Sequence, residues 1–236
     1  MKLAIVIPTY NEIGNINTLI KLILKTASLG LMIQIIVVDD NSPDGTARAV
    51  IDLSKENSCV HCLVNKGQRG RGWAIINGFK YALNLDVDYI LEMDADFSHD
   101  PAYLPQFLKA IEDADIVIGS RFVLGGLDSR VSFLRKALSI LANLFIRTML
   151  DIKVYDCTSG FRCFRKEVVE KINLDRLSAP GPAVIEEMLY HCRKFKIVEI
   201  PINFTDRKAG SSKLNFEILW QCFLSIWKLR FSYHDN

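Results

Sequence analysis

The stretch YILEMDADFSHDP, residues 89–101, ends a hydrophobic run with two acids one residue apart, Asp94 and Asp96. Carboxylates at this spacing offer the hard oxygen ligands that magnesium or manganese prefers, and such an ion can in turn grip a diphosphate. Two further pairs, Asp86/Asp88 and Asp113/Asp115, share the spacing. Any of the three would also make an ordinary solvated loop. The elements that carry them decide between the readings.

Short β-branched runs at 3–7, 33–38, 60–64, 89–93 and 115–119 read as buried strands. Between them apolar residues recur at helical spacing, as in Ile16, Leu19, Ile20, Ile23, Leu24 and in Ala74, Ile75, Phe79, Ala82, Leu83. That alternation predicts an α/β fold whose mainly parallel sheet is sandwiched by helices. In open sheets of this kind ligands bind beyond the carboxyl ends of the strands. Asp86/Asp88 and Asp113/Asp115 precede strands, so they read as solvated loops. Asp94/Asp96 follow one. The other strand ends carry PTYNE (8–12), DDNSPDGT (39–46) and SRF (120–122), which should open on the same rim. An aromatic ring at Tyr10, carboxylates and a metal-binding acid pair together suit a nucleotide diphosphate.

Composition narrows the remaining classes. At 236 residues the chain reads as a single domain, 1–236, with ample length for a core. A net charge of +2 gives no global field for nucleic acid. The six cysteines show no disulfide framework, and CVHC at 59–62 is a lone pair inside an apparent strand, so reduced thiols in a cytoplasmic protein are expected. The N-terminal apolar run is too short for a signal peptide. No apolar stretch reaches the roughly 18–20 residues of a membrane span.

The motifs IPTYNE, VVDDNSPDGT, MDADFSHDP, GSRF, DCTSGFR and FTDRKAGSSKL, spread over about residues 4–214, resemble the family 2 glycosyltransferases of GT-A (Rossmann-like) fold. Within that family the chain is similar to the dolichyl- and polyprenyl-phosphate mannose synthases. The resemblance implies that Pro8, Tyr10, Glu12, Val38 and Asp40 hold the nucleoside of GDP-mannose. It implies that Asp94, Ala95 and Asp96, helped by Ser98, meet the diphosphate and a Mg2+ or Mn2+ ion. Arg121, Arg207 and Lys213 would contact phosphates of donor or acceptor, and Arg135 with Ser139 would grip the lipid phosphate. One loop departs from the pattern. QRGRG at 68–72 stands where the family usually reads Lys-Leu-Gly-Leu-Gly, and its arginines, Arg69 and Arg71, are expected to be solvated.

The implied reaction is mannosyl transfer with inversion from GDP-mannose to a polyprenyl or dolichyl phosphate. As charge gathers on the departing diphosphate, a divalent ion offsets it. Arg207 and Lys213, flanking a glycine-serine loop, are expected to close over the phosphates. A phosphate acceptor has a second pKa near 6 and needs no general base. Asp156 is the best candidate if a base exists, although ordering its loop is the expected role. His99 is expected to cap a loop, and His61 and His191 carry no partner spacing. A sibling transferase using UDP-glucose is the main alternative. Sugar-1-phosphate nucleotidyl transfer fits less well, because PTYNE lacks the glycine-rich basic loop of that class. A non-catalytic nucleotide-binding module would leave the acid pair and basic loop without a purpose.

Two helical segments bear on where the acceptor is met. Residues 131–150 place Ser132, Arg135, Lys136, Ser139, Asn143 and Arg147 in one narrow polar stripe. Residues 214–231 align Phe216, Trp220, Phe223 and Trp227 on one side, which suits either core burial or a helix lying among lipid headgroups beside Lys228 and Arg230. The expected location is peripheral, at the cytoplasmic face of the membrane.

Overall fold

The computed structural model describes residues 1–27, 31–177, 183–205 and 216–232. The elements follow in the order β1 (Lys2–Thr9), α1 (Ile13–Ala27), β2 (Met32–Asp39), α2 (Thr46–Glu56), β3 (Val60–Val64), α3 (Arg71–Leu83) and β4 (Tyr89–Glu92). Next come α4 (Leu104–Ile111), β5 (Ile116–Ser120), β6 (Leu127–Asp128), α5 (Phe133–Leu150), β7 (Arg162–Arg165) and α6 (Lys166–Lys171). The chain continues through α7 (Val184–His191), β8 (Ile197–Pro201), β9 (Asn203–Phe204) and α8 (Phe216–Ser232).

All five strands expected from the sequence are present. Among the described residues they belong to a seven-stranded sheet ordered β3-β2-β1-β4-β7-β5-β8. Every neighbouring pair is parallel except those of β7, which runs antiparallel to both β4 and β5. β6 and β9 form a separate two-residue parallel pair.

The pleat divides the core in two. Leu3, Ile5 and Ile7 of β1 join the core cluster of α1, α2 and α4, whereas Ala4 and Val6 join that of α3, α5, α6, α7 and α8. All five are fully buried, which explains why β1 reads as an unbroken apolar run. Gly78 lets α3 approach the sheet closely, since a methyl group there would collide with Val6. The off-site acid pairs lie at the amino ends of their strands. Asp86 pairs with Lys2, Asp88 accepts from the Lys2 amide at 2.8 Å, and Asp115 accepts from the Lys196 amide at 2.8 Å. Asp86, Asp88 and Asp115 thus tie chain segments together at that edge.

Candidate active site

The carboxyl ends of β1, β2, β3, β4 and β5 converge on one rim. Backbone conformations rare for side-chain-bearing residues gather there: Asn11, Asn41 and Phe97 have φ of 61°, 57° and 63°. Asp39 and Asp44 stitch the first two loops together. Asp39 Oδ2 accepts from Thr9 Oγ1 at 3.0 Å and from Ser42 Oγ at 2.6 Å. Asp44 accepts from the amides of Ile13 and Thr46 at 3.1 and 3.0 Å, while the Thr46 hydroxyl receives the Glu12 amide at 2.9 Å. Tyr10 is exposed at the edge and Glu12 accepts from Asn15 Nδ2 at 2.8 Å.

Asp40 turns inward to brace the next loop. Its two oxygens accept from Asn65 Nδ2 and from the Gly70 amide, each at 2.8 Å, which anchors the start of α3. Val38 is fully buried and Pro8 lies opposite it in the strand register, so Val38 is core beneath the rim rather than part of its surface.

Past β4, the Asp94 amide donates to His99 Nδ1 at 2.9 Å. The ring is buried and stacked on Phe161 at 4.8 Å, and burial pushes its pKa down. A neutral imidazole with an accepting Nδ1 caps the loop, as expected for His99. Asp96 is buried and its Oδ1 accepts from the Ser98 amide at 3.1 Å and hydroxyl at 2.6 Å. Asp94 has 20% of its side chain exposed. Ala95 between them is buried.

The QRGRG loop corrects an expectation. Arg69 is exposed, but Arg71 opens α3 and spans two carboxylates, with Nη1 on Asp94 and Nη2 on Glu92 Oε1 at 2.8 Å. Its charge is drawn in because Glu92 is buried at the end of β4. Below them lies Arg162 of β7, also buried, which donates to the carbonyls of Ser159 (2.6 Å), Ile185 (2.7 Å) and Cys157. Burial raises the Glu92 pKa while Arg71 and Arg162 oppose it. Glu186 of α7 completes this group. Its Oε2 has no hydrogen-bond partner among the described residues, and burial pushes its pKa up to about 7.

Arg121, expected to contact a phosphate, is held by an aspartate. It donates to Asp156 through Nε at 2.7 Å and Nη2 at 2.6 Å, and its amide adds a third bond at 3.0 Å. Its guanidinium lies 5.0 Å from the Phe204 ring centre. Asp156 is fully buried with both oxygens engaged, so it orders the loop as expected and is not offered to an acceptor. Arg135 is exposed on α5. Ser139 accepts instead from Arg130 Nη2 at 2.8 Å, and Arg130 is further held by Asp128. Arg207 and Lys213 lie outside the described residues.

α5 turns only part of its polar stripe toward the protein, Ser139 and Asn143 making contacts there while Arg135 stays exposed. Asn143 is buried against Thr158, while Phe133, Leu134, Leu138, Ile140, Leu141 and Leu144 are exposed. α8 packs on α5 through a Phe145–Phe223 stack at 5.0 Å and also exposes Trp220, Phe223 and Trp227, with Ile226 and Leu229 buried. Trp220, Phe223 and Trp227 of its aromatic stripe are therefore exposed rather than buried in the core. Among the described residues no helix is long and apolar enough to cross a membrane.

The arrangement offers hard carboxylate oxygens on the rim just past β4. Among the described residues no three His, Cys, Asp or Glu side chains converge to cage an ion. That donor set fits magnesium or manganese, which commonly takes one or two carboxylates and completes its shell with substrate phosphate and water. The glycosyl transferase family 2 model matches residues 4–173. The chain is a family 2 glycosyltransferase.

Known relatives of this family 2 glycosyltransferase include the undecaprenyl-phosphate mannosyltransferase of Micrococcus luteus, 35% identical over 96% of this chain and 93% of that protein. The polyprenol monophosphomannose synthase of Mycolicibacterium smegmatis is 34% identical over 96% of this chain and 86% of its own length. The dolichol-phosphate mannosyltransferase of Pyrococcus furiosus is 36% identical, and the match spans 64% of that longer protein. Among solved structures, glucosyl-3-phosphoglycerate synthase from Mycobacterium tuberculosis in complex with Mg2+ and uridine diphosphate superposes with a TM-score of 0.69. It is 16% identical, with 97% of this chain and 79% of that one covered, a likeness of fold.

Proposed function

We propose that this family 2 glycosyltransferase moves mannose from GDP-mannose to a polyprenyl or dolichyl phosphate at a membrane surface. The observation that carries the reading is the carboxylate pair past β4 on the rim that also bears Arg121, together with α5, which Asn143 and Thr158 tie to Arg121 and which leaves an apolar face exposed. The names of the relatives, matched across most of their length, supply the acceptor class and the sugar.

When bound at Asp94 and Asp96, Mg2+ or Mn2+ would supply Lewis-acid stabilisation of the diphosphate leaving group. The rim loops of Tyr10, Glu12 and Asp40 would hold the nucleoside. Arg130, Arg135 and Ser139 would receive the acceptor phosphate, with Arg207 and Lys213 closing from the segment beyond β9. An acceptor phosphate oxygen attacks the anomeric carbon on the face opposite the diphosphate. The glycosyl carbon–oxygen bond breaks, its electron pair leaves with GDP, and configuration inverts. No proton has to be removed, because a phosphate monoester is already anionic at neutral pH. The engagement of Asp156 with Arg121 supports this baseless scheme.

The outward apolar faces of α5 and α8 support peripheral docking, with aromatic and leucine side chains among the headgroups. Free cysteines suit the cytoplasmic side, where thiols stay reduced. The test is a panel of labelled nucleotide sugars with undecaprenyl and dolichyl phosphates and Mg2+ or Mn2+. GDP-mannose should give labelled lipid, lost on chelation and in Asp94→Ala/Asp96→Ala. Label delivered from UDP-glucose instead would replace the sugar assignment, and no lipid product from any donor would refute the acceptor class.

A further inference from the structure

We infer that Arg71 is a resident counter-cation of the Asp94 carboxylate, one that a divalent ion has to displace, so that ion and nucleotide donor bind cooperatively. This rests on the reading of Asp94 as a ligand of that ion. The side chain is seated in a socket. Asp40 holds the Gly70 amide and so sets where α3 begins. Glu92, 1% exposed, anchors Nη2 from below, and Asp94 takes Nη1 in front. Gly160 closes the opposite side, where an added Cβ would fall directly on the guanidinium. Only 28% of the Arg71 side chain is exposed.

A guanidinium on Asp94 Oδ1 occupies a lone pair that an incoming ion needs, and like charges a few ångströms apart repel. In the resting protein a divalent ion therefore meets a carboxylate that is already neutralised. A donor diphosphate changes the balance by bringing negative charge of its own. The arginine fork can then turn from Asp94 to a phosphate oxygen while its other arm stays on Glu92. Both cations are thereby accommodated once the donor arrives, whereas the arginine holds Asp94 until then.

The test measures Mn2+ binding by the electron paramagnetic resonance signal of the free ion, using the full chain with and without GDP. Without nucleotide, Arg71→Leu should bind Mn2+ about tenfold tighter than the wild type, the size of one charge-assisted bond. Gly160→Ala, which keeps every charge but crowds the guanidinium, should shift affinity the same way by less. Adding GDP should narrow both gaps. Equal Mn2+ affinity of wild type and folded Arg71→Leu without GDP, or weaker binding by the variant, overturns the inference. If Arg71→Leu unfolds for want of a partner for Glu92, unchanged affinity in Gly160→Ala overturns it alone. Asp94→Ala separates the two readings. Mn2+ binding with GDP that survives Asp94→Ala refutes the metal assignment, whereas Asp94-dependent binding indifferent to Arg71 refutes only the displacement.

Discussion

Asp156 and Arg121 offer the sharpest test of how this site is held. The aspartate is fully buried, Arg121 is 8% exposed, and the two share three hydrogen bonds of 2.6 to 3.0 Å. Asp156→Asn keeps the shape but turns an amide NH2 toward a guanidinium that can only donate. Arg121→Gln leaves the carboxylate buried without its counter-ion. Breaking a buried pair from one side costs about 3–5 kcal/mol, mostly from the stranded charge. The double variant strands none, since Gln and Asn can bond as neutral amides. Each single variant should lose about 3 kcal/mol or more. The double should lose less than their sum by about 2 kcal/mol, the coupling expected of contacting residues. Urea unfolding followed by tryptophan fluorescence measures all four corners of the cycle. Additivity within about 0.5 kcal/mol would show that the two do not act as a pair. A normal unfolding midpoint in Asp156→Asn with a collapse in kcat would instead return the aspartate to the role of a base.

Glu186→Gln should change how stability depends on pH. The unfolded carboxyl ionises near 4.5 and the buried one near about 7, so within that window unfolding releases a proton that the folded state retains. Wild-type stability should thus fall as pH rises from about 4.5 to 7 and level off above, a loss of up to about 3 kcal/mol that the glutamine variant escapes. Urea midpoints at pH 5 and pH 8 check this, and parallel changes in both proteins would contradict it. On the outer face, Leu134→Glu/Leu141→Glu replaces side chains in residues 68% and 61% exposed, so folding should be unaffected. Each leucine buried in an apolar phase is worth about 1.5–3 kcal/mol, so cosedimentation with anionic vesicles should weaken more than tenfold. Equal sedimentation would argue against docking through α5.

The strands that frame the rim were legible because each is a contiguous apolar run, and the Asp94/Asp96 pair was legible because it follows one of them. β7 was not. It has four residues with an arginine at each end, and its pattern gives no apolar signal. Arg162 is buried only because carbonyls from Cys157, Ser159 and Ile185 meet it, and such convergence of distant segments leaves no local trace. Arg71 misled for the same reason, its partners lying 21 and 23 positions away. Arg135 and Ser139 share a helix face, which spacing reveals. Arg130 reaches Ser139 from the preceding loop, which spacing does not.

The rotation of α5 about its own axis joins the donor rim to the proposed membrane face. Turned half a revolution, the same sequence would bury Leu134, Leu138, Leu141 and Leu144 and wet Asn143, as surface helices ordinarily do with their polar residues. Ile146 and Leu150, buried in the core on the same side, oppose this, and so does Asn143. Its amide donates to the Ser139 carbonyl at 2.9 Å and to Thr158 Oγ1 at 3.2 Å, and its carbonyl accepts from the Thr158 amide at 3.3 Å. Thr158 in turn touches both Arg121 and Asp156. Freeing Asn143 would strand buried polar groups at about 1–3 kcal/mol each, against the apolar burial gained by the opposite turn. The same contacts run from Arg121 through Thr158 and Asn143 to Ser139 and Arg130. On the proposed reading, α5 would meet a headgroup phosphate through Ser139 beside Arg130 and the lipid chain through its exposed leucines, without a change in the fold.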